Sequence, residues 1–123
     1  MNTQNSIGRS VALIVTPSFV EAEDIADALR RFDLSEVLHA RDSATGLARM
    51  DASSTPPSLA LIAFDREDSY FDTLLTRLHA AKARVVLING HPELAQDFGT
   101  GFLMRPFSNS DLDRCIAEVI PGL

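Results

Sequence analysis

Leu59-Ala60-Leu61-Ile62-Ala63-Phe64 is an unbroken run of six apolar residues. A strand with one wet face alternates apolar and polar residues. A run that is apolar throughout suits a strand covered on both faces, as in a parallel sheet. Val11–Val15 and Val85–Ile88 read the same way, and Glu36–Ala40 and Gly101–Met104 are weaker strand candidates.

Between these runs the spacing turns helical. Ser18 and Glu21 have the spacing of a capping box, in which each side chain satisfies an orphan backbone N–H. Ile25, Leu29 and Phe32 then repeat on one helix face. Asp42–Met50 reads as a short second helix. Ser69 with Asp72 is expected to open a third, with Leu74, Leu75, Leu78 and Ala81 turned inward. Ser108 and Asp111 cap a last helix whose Leu112, Cys115, Ile116 and Val119 line one face, and Pro121 ends it. Strand and helix thus alternate five times. Right-handed crossovers then put helices on both faces of the sheet. The expected fold is α/β, a doubly wound five-stranded parallel sheet of order 2-1-3-4-5. Function in such sheets gathers at the carboxyl ends of the strands. Those ends are Thr16–Ser18, Ala63–Glu67, Asn89–His91 and Arg105–Phe107.

The chain has 123 residues, enough for one domain. It reads as a polar tail over residues 1–10 and a single domain over 11–121. The loop Asp51–Ser58, rich in proline and serine, is a connection, because neither side is long enough to fold alone. With 46% apolar and 23% charged residues and a mean hydropathy of +0.05, disorder and coiled coil are disfavoured. Eleven basic against seventeen acidic residues leave −6, which repels phosphate backbones and anionic lipid. Neither nucleic acid nor a membrane is therefore an expected partner. The one cysteine, Cys115, excludes an intrachain disulfide, and its apolar helical position makes it a buried, inert thiol. No apolar run approaches the roughly 20 residues that span a bilayer, and Met1–Ser10 has no apolar core of a secretory signal. A cytoplasmic domain is expected. His39, His79 and His91 share no metal-ligand spacing.

Gly101-Phe102-Leu103-Met104-Arg105-Pro106-Phe107 resembles the G-[YF]-L-x-K-P-F end of receiver domains of two-component response regulators. Val85–His91 resembles their fourth strand, Pro57–Ala63 their P-D-L-V-L-L-D third strand, and Val11–Ser18 their I-L-I-V-E-D-E first strand. The likeness runs in order from Val11 to Ile120. It implies the receiver (flavodoxin-like) fold, two-component phosphorelay signalling and a cis bond before Pro106. Members of that family take a phosphoryl group from a histidine kinase onto an aspartate. The chemistry uses an acidic pair that holds Mg²⁺, an aspartate nucleophile, a hydroxyl and a lysine.

Carried over position by position, the acidic pair falls on Thr16 and Pro17, the phosphoacceptor on Ala63, the hydroxyl on Asn89 and the lysine on Arg105. A degenerate receiver follows, with no catalytic residue, metal or cofactor. It is expected not to be an enzyme and to act as a phosphorylation-independent adaptor. The expected partner is a histidine kinase, a phosphotransferase, another receiver or a second copy of the chain. Phe102, Arg105 and Phe107 are the candidate interaction residues. Asp65, two residues past Ala63, is the alternative phosphoacceptor, and its pairing with Arg105 or that of a backbone carbonyl is expected. Glu21, Glu23 and Asp24 read as surface charges that complement the first helix dipole. Asp65, Glu67 and Asp68 read as a solvated capping turn or a docking patch. A flavodoxin-type ligand site is disfavoured, because Thr16–Asp24 has no glycine and carries acids. Only seven residues, His91–Asp97, precede Gly99, so the fourth helix is expected to be short.

Overall fold

The three continuous apolar runs and the two weaker candidates all become strands: β1 (Val11–Val15), β2 (Glu36–Ala40), β3 (Leu59–Ala63), β4 (Arg84–Ile88) and β5 (Gly101–Leu103). This computed structural model describes residues 10–34 and 36–122. The expected polar tail over 1–10 thus falls outside the described residues, save Ser10. All pairings are parallel, in the order β2-β1-β3-β4-β5, as expected. β1 is buried at all five positions and β3 at four of five, whereas β2 at the sheet edge is only half-buried. That difference is why the first two read so clearly as apolar runs and β2 did not.

Among the described residues four α-helices connect the strands, α1 (Phe19–Arg31), α2 (Ser43–Ala52), α3 (Phe71–Ala80) and α4 (Pro92–Phe98), and α5 (Asn109–Val119) follows β5. They divide the core into two layers. α1 and α5 cover one sheet face, where Ile25, Leu29, Leu112 and Ile116 meet Ile14, Leu61 and Ile88. α2, α3 and α4 cover the other, where Met50, Leu74, Leu78 and Ala95 meet Leu13, Ile62 and Leu87. Alternate residues of each strand point to opposite faces, so one strand feeds both layers. Cys115 is buried in the first layer, and burial pushes its thiol up to about 11.

α5 starts with the full Ser108–Asp111 capping box. α1 keeps half of its own: Ser18 Oγ accepts from the Glu21 N–H at 3.1 Å, but the Glu21 carboxylate goes elsewhere. The start expected for α3 is corrected. Tyr70 occupies the cap position without a side-chain cap bond, and neither Ser69 nor Asp72 supplies one. Asp68 takes over instead, accepting from the Tyr70 N–H at 3.2 Å and from the Ser43 N–H at 2.9 Å. It thereby ties the start of α3 to the start of α2. α4 has seven residues, short as expected, and Gly99 closes it in the left-handed conformation at φ 64°.

Candidate functional site

The carboxyl edge of the sheet is a row of backbone bonds that fixes every residue of interest. The Thr16 N–H donates to the Ala40 carbonyl, Phe64 N–H to Ile88 and Asn89 N–H to Leu103. Thr16, Ala63 and Asn89 thus stand where β1, β3 and β4 end, and Arg105 follows two residues after β5.

Thr16 is fully buried. Its hydroxyl donates to Glu21 Oε1 at 2.8 Å and accepts from the Ser18 N–H at 3.2 Å. Side chains on a helix lean toward its N-terminus. Glu21, in the first turn of α1, therefore reaches back over the end of β1. There it accepts two N–H bonds from the Arg105 guanidinium, Nε to Oε2 at 2.6 Å and Nη2 to Oε1 at 2.7 Å. A two-point pair of this kind is short and directional. The Glu21 side chain is 13% exposed and that of Arg105 36%. The Arg105 guanidinium holds the Glu21 carboxyl below its usual range. Partial burial works against this, and the Thr16 hydroxyl adds to it. In return the Glu21 carboxylate raises Arg105.

Two expectations are corrected here. Arg105 pairs with Glu21, not with Asp65 or a backbone carbonyl, and Glu21 is not a free surface charge serving the helix dipole. The capping spacing carried a signal for this, since it places Glu21 beside the end of β1. The partner across 84 positions of sequence carried none.

Asn89 has φ 66°, a left-handed conformation that asparagine tolerates better than most residues. The turn aims its Oδ1 at the Arg105 N–H, 3.2 Å away. Arg105 is thus anchored twice, by backbone to β4 and by side chain to α1. The Arg105–Pro106 bond that follows is cis, as the resemblance implied. Phe102 and Phe107 are half-buried and pack on opposite core layers, Phe102 with α2–α4 and Phe107 with α1 and α5. His39, not singled out as a site residue, donates from Nε2 to the Thr16 carbonyl at 2.9 Å, and its ring meets that of Phe19 edge-on.

On the β3 side the edge is open. β3 stops at Ala63, and Asp65 lies in the following turn, exposed. Asp65 Oδ1 accepts from the Glu67 N–H at 2.9 Å, a local turn bond typical of aspartate. A cleft of about 640 Å³ lies here, with Pro17, Ala63, Phe64, Asp65, Tyr70 and Arg105 in its wall. Sequence reasoning missed Arg41 and Tyr70 as members of it. They come from the ends of β2 and the β3–α3 loop, and only the folded sheet brings them together.

A Mg²⁺ ion held as in phosphoryl-transfer sites requires several free carboxylate oxygens. The residues here do not fit one. Pro17 offers no side-chain ligand, the Thr16 hydroxyl is spent on Glu21, and both Glu21 oxygens are spent on Arg105. Among the described residues no group of three or more His, Cys, Asp or Glu is arranged to hold a metal ion. No helix among them is long and apolar enough to cross a membrane.

No protein-family model and no curated protein matches the chain. Solved structures do. A receiver protein from Burkholderia phymatum superimposes with a TM-score of 0.76 at 18% identity, covering 92% of this chain and 96% of that one. A CheY-like receiver domain protein from Methanospirillum hungatei gives 0.72 at 22%, covering 91% and 94%. A receiver domain protein from Clostridium thermocellum gives 0.70 at 20%, again covering 91% and 94%. The fold is therefore that of response-regulator receiver domains, over nearly the whole chain.

Proposed function

We propose that this receiver-fold domain serves two-component signalling without being phosphorylated, as a cytoplasmic adaptor that binds a protein. The observation that carries this reading is the Glu21–Arg105 pair closing over Thr16. Phosphoryl transfer is almost wholly positioning and charge neutralisation. It requires a carboxylate nucleophile, a metal and a cation free to meet developing charge. Ala63 supplies no nucleophile, Thr16 and Pro17 supply no acidic pair, and Arg105 has its charge matched internally. In this reading the domain is not an enzyme and needs no cofactor. Its partner is a histidine kinase, a phosphotransferase, another receiver or a second copy of itself.

A second reading keeps one observation in its favour. Asp65 is exposed, lies two residues past the end of β3 and shares a cleft with Arg105. Incubation with a small phosphodonor and Mg²⁺, followed by intact-mass measurement, separates the two. The mass is expected to stay unchanged. Gain of one phosphoryl group, lost in Asp65→Asn, would establish the second reading instead.

A further inference from the structure

The cleft beside β3 has a wall of unusual make-up. Val15, Pro17, Ala63 and Phe64 contribute apolar surface where β1 and β3 end. Around them stand Asp42, Asp65, Glu67 and Asp68, against two guanidiniums, Arg41 and Arg105. Arg105 already belongs to Glu21, so the free charge of the rim is negative. Tyr70 stands at the rim with 52% of its surface exposed, one of four large apolar or aromatic side chains so exposed among the described residues. The volume of about 640 Å³ lies within the range of roughly 300–1,000 Å³ usual for binding clefts.

We propose that this cleft is the docking site for a basic segment of a protein partner, taking up a lysine or arginine side chain. The inference rests on the phosphate-free protein-binding reading and names its surface. A bare anion meets carboxylates here, and among the described residues no three acids are arranged to hold a bare metal ion. A lysine or arginine side chain matches both parts, because its aliphatic stem buries against apolar surface while its head stays with polar groups. The stem lies along Pro17, Ala63 and Phe64. The head reaches Asp65 and Glu67, and the Tyr70 ring offers its face to the cation. Three of the rim carboxylates accept backbone N–H bonds and are thereby held in place: Asp65 from Glu67, Asp42 from Thr45, and Asp68 from Tyr70 and from Ser43 of α2. The Glu67 side chain is exposed. The net charge of −6 draws a basic segment toward the whole molecule and strengthens encounter at low salt.

The test is an amide NMR titration of the whole chain with an acetylated, amidated Arg-Leu-Lys peptide, beside a Glu-Leu-Glu control. The expected result is a saturable shift at Ala63, Phe64 and Tyr70 with the basic peptide only, weakening as salt is raised. Glu67→Lys is expected to weaken that binding about tenfold, equivalent to 1.4 kcal/mol. Tyr70→Ala should weaken it through a different contact, which covers a folding failure of either variant. Shifts centred on another face, equal shifts with the acidic peptide, or no shift at millimolar peptide would each overturn the proposal. None of these touches the phosphate-free reading, which stands or falls on the intact-mass result.

Discussion

The two flanks of the sheet's carboxyl edge make opposite use of charge. On the α1 flank, Thr16, Glu21, Asn89 and Arg105 satisfy one another, and the groups capable of meeting a ligand are engaged within the fold. On the α2–α3 flank, Asp65, Glu67 and Tyr70 of the β3–α3 loop stand exposed around an apolar base. A polar group half-buried in an ion pair stabilises the fold and is lost to chemistry. An exposed carboxylate does little for stability and remains free to recognise. The closed flank is therefore read as structure and the open flank as surface for a partner.

The largest effect is expected where the flanks join. Gly90 has φ 90°, and a Cβ there would lie 3.0 Å from Phe64 Cδ2. Gly90→Ala combines a left-handed strain with pressure on the ring that lines the open cleft and packs edge-on against Phe71 at 5.1 Å. A loss of about 2 kcal/mol is expected from thermal or denaturant unfolding. A loss below a few tenths of that would show that the junction is soft.

Breaking the closed flank comes next. Arg105→Ala or Glu21→Gln should each cost about 1 kcal/mol, since the pair is two-point but partly exposed. The double variant should cost clearly less than both singles together. Additivity in this cycle would mean that the pair adds nothing to stability.

The same pair sets an acid limit. The folded state holds Glu21 below its ordinary value of 4.5, so its contribution is complete above that pH and is lost as pH falls through the folded value. Asp42 and Asp111 are also lowered, by cap bonds with Thr45 and Ser108, and act in the same direction. The decline in melting temperature below about pH 5 should be shallower in Glu21→Gln than in the wild type. Equal slopes would remove Glu21 from the account.

The smallest effect belongs to the open flank. Glu67→Lys and Asp65→Asn are expected to change stability by no more than about 0.5 kcal/mol, as exposed substitutions do. The amide oxygen of asparagine can still accept the turn bond made to the Glu67 N–H. A melting shift as large as that of Arg105→Ala would erase the distinction between the flanks.

The fold was largely legible because buried strands and amphipathic helices write their burial into local order. Val11–Val15 and Leu59–Ala63 are buried because they are apolar throughout, and Ile25 and Leu29 fall on one face by period alone. The short α4 was legible from the seven residues before Gly99. The start of α3 was not, because Asp68 and Ser69 both offer oxygens at plausible spacing. The bond to Ser43 on a distant helix decides between them. At the site, Thr16, Pro17, Ala63, Asn89 and Arg105 fall at strand ends that local pattern locates. The role of Glu21 did not show, because nothing within a few residues of Arg105 reveals a carboxylate 84 positions away.

Amide NMR of the wild-type chain, before and after addition of Mg²⁺ and a small phosphodonor, tests the central claim most directly. The closed flank predicts that the signals of Thr16, Glu21, Asn89 and Arg105 stay in place, and that Ala63 and Asp65 do not shift saturably. Saturable movement of these signals, abolished by Asp65→Asn, would contradict the account and make the edge a working phosphoacceptor site.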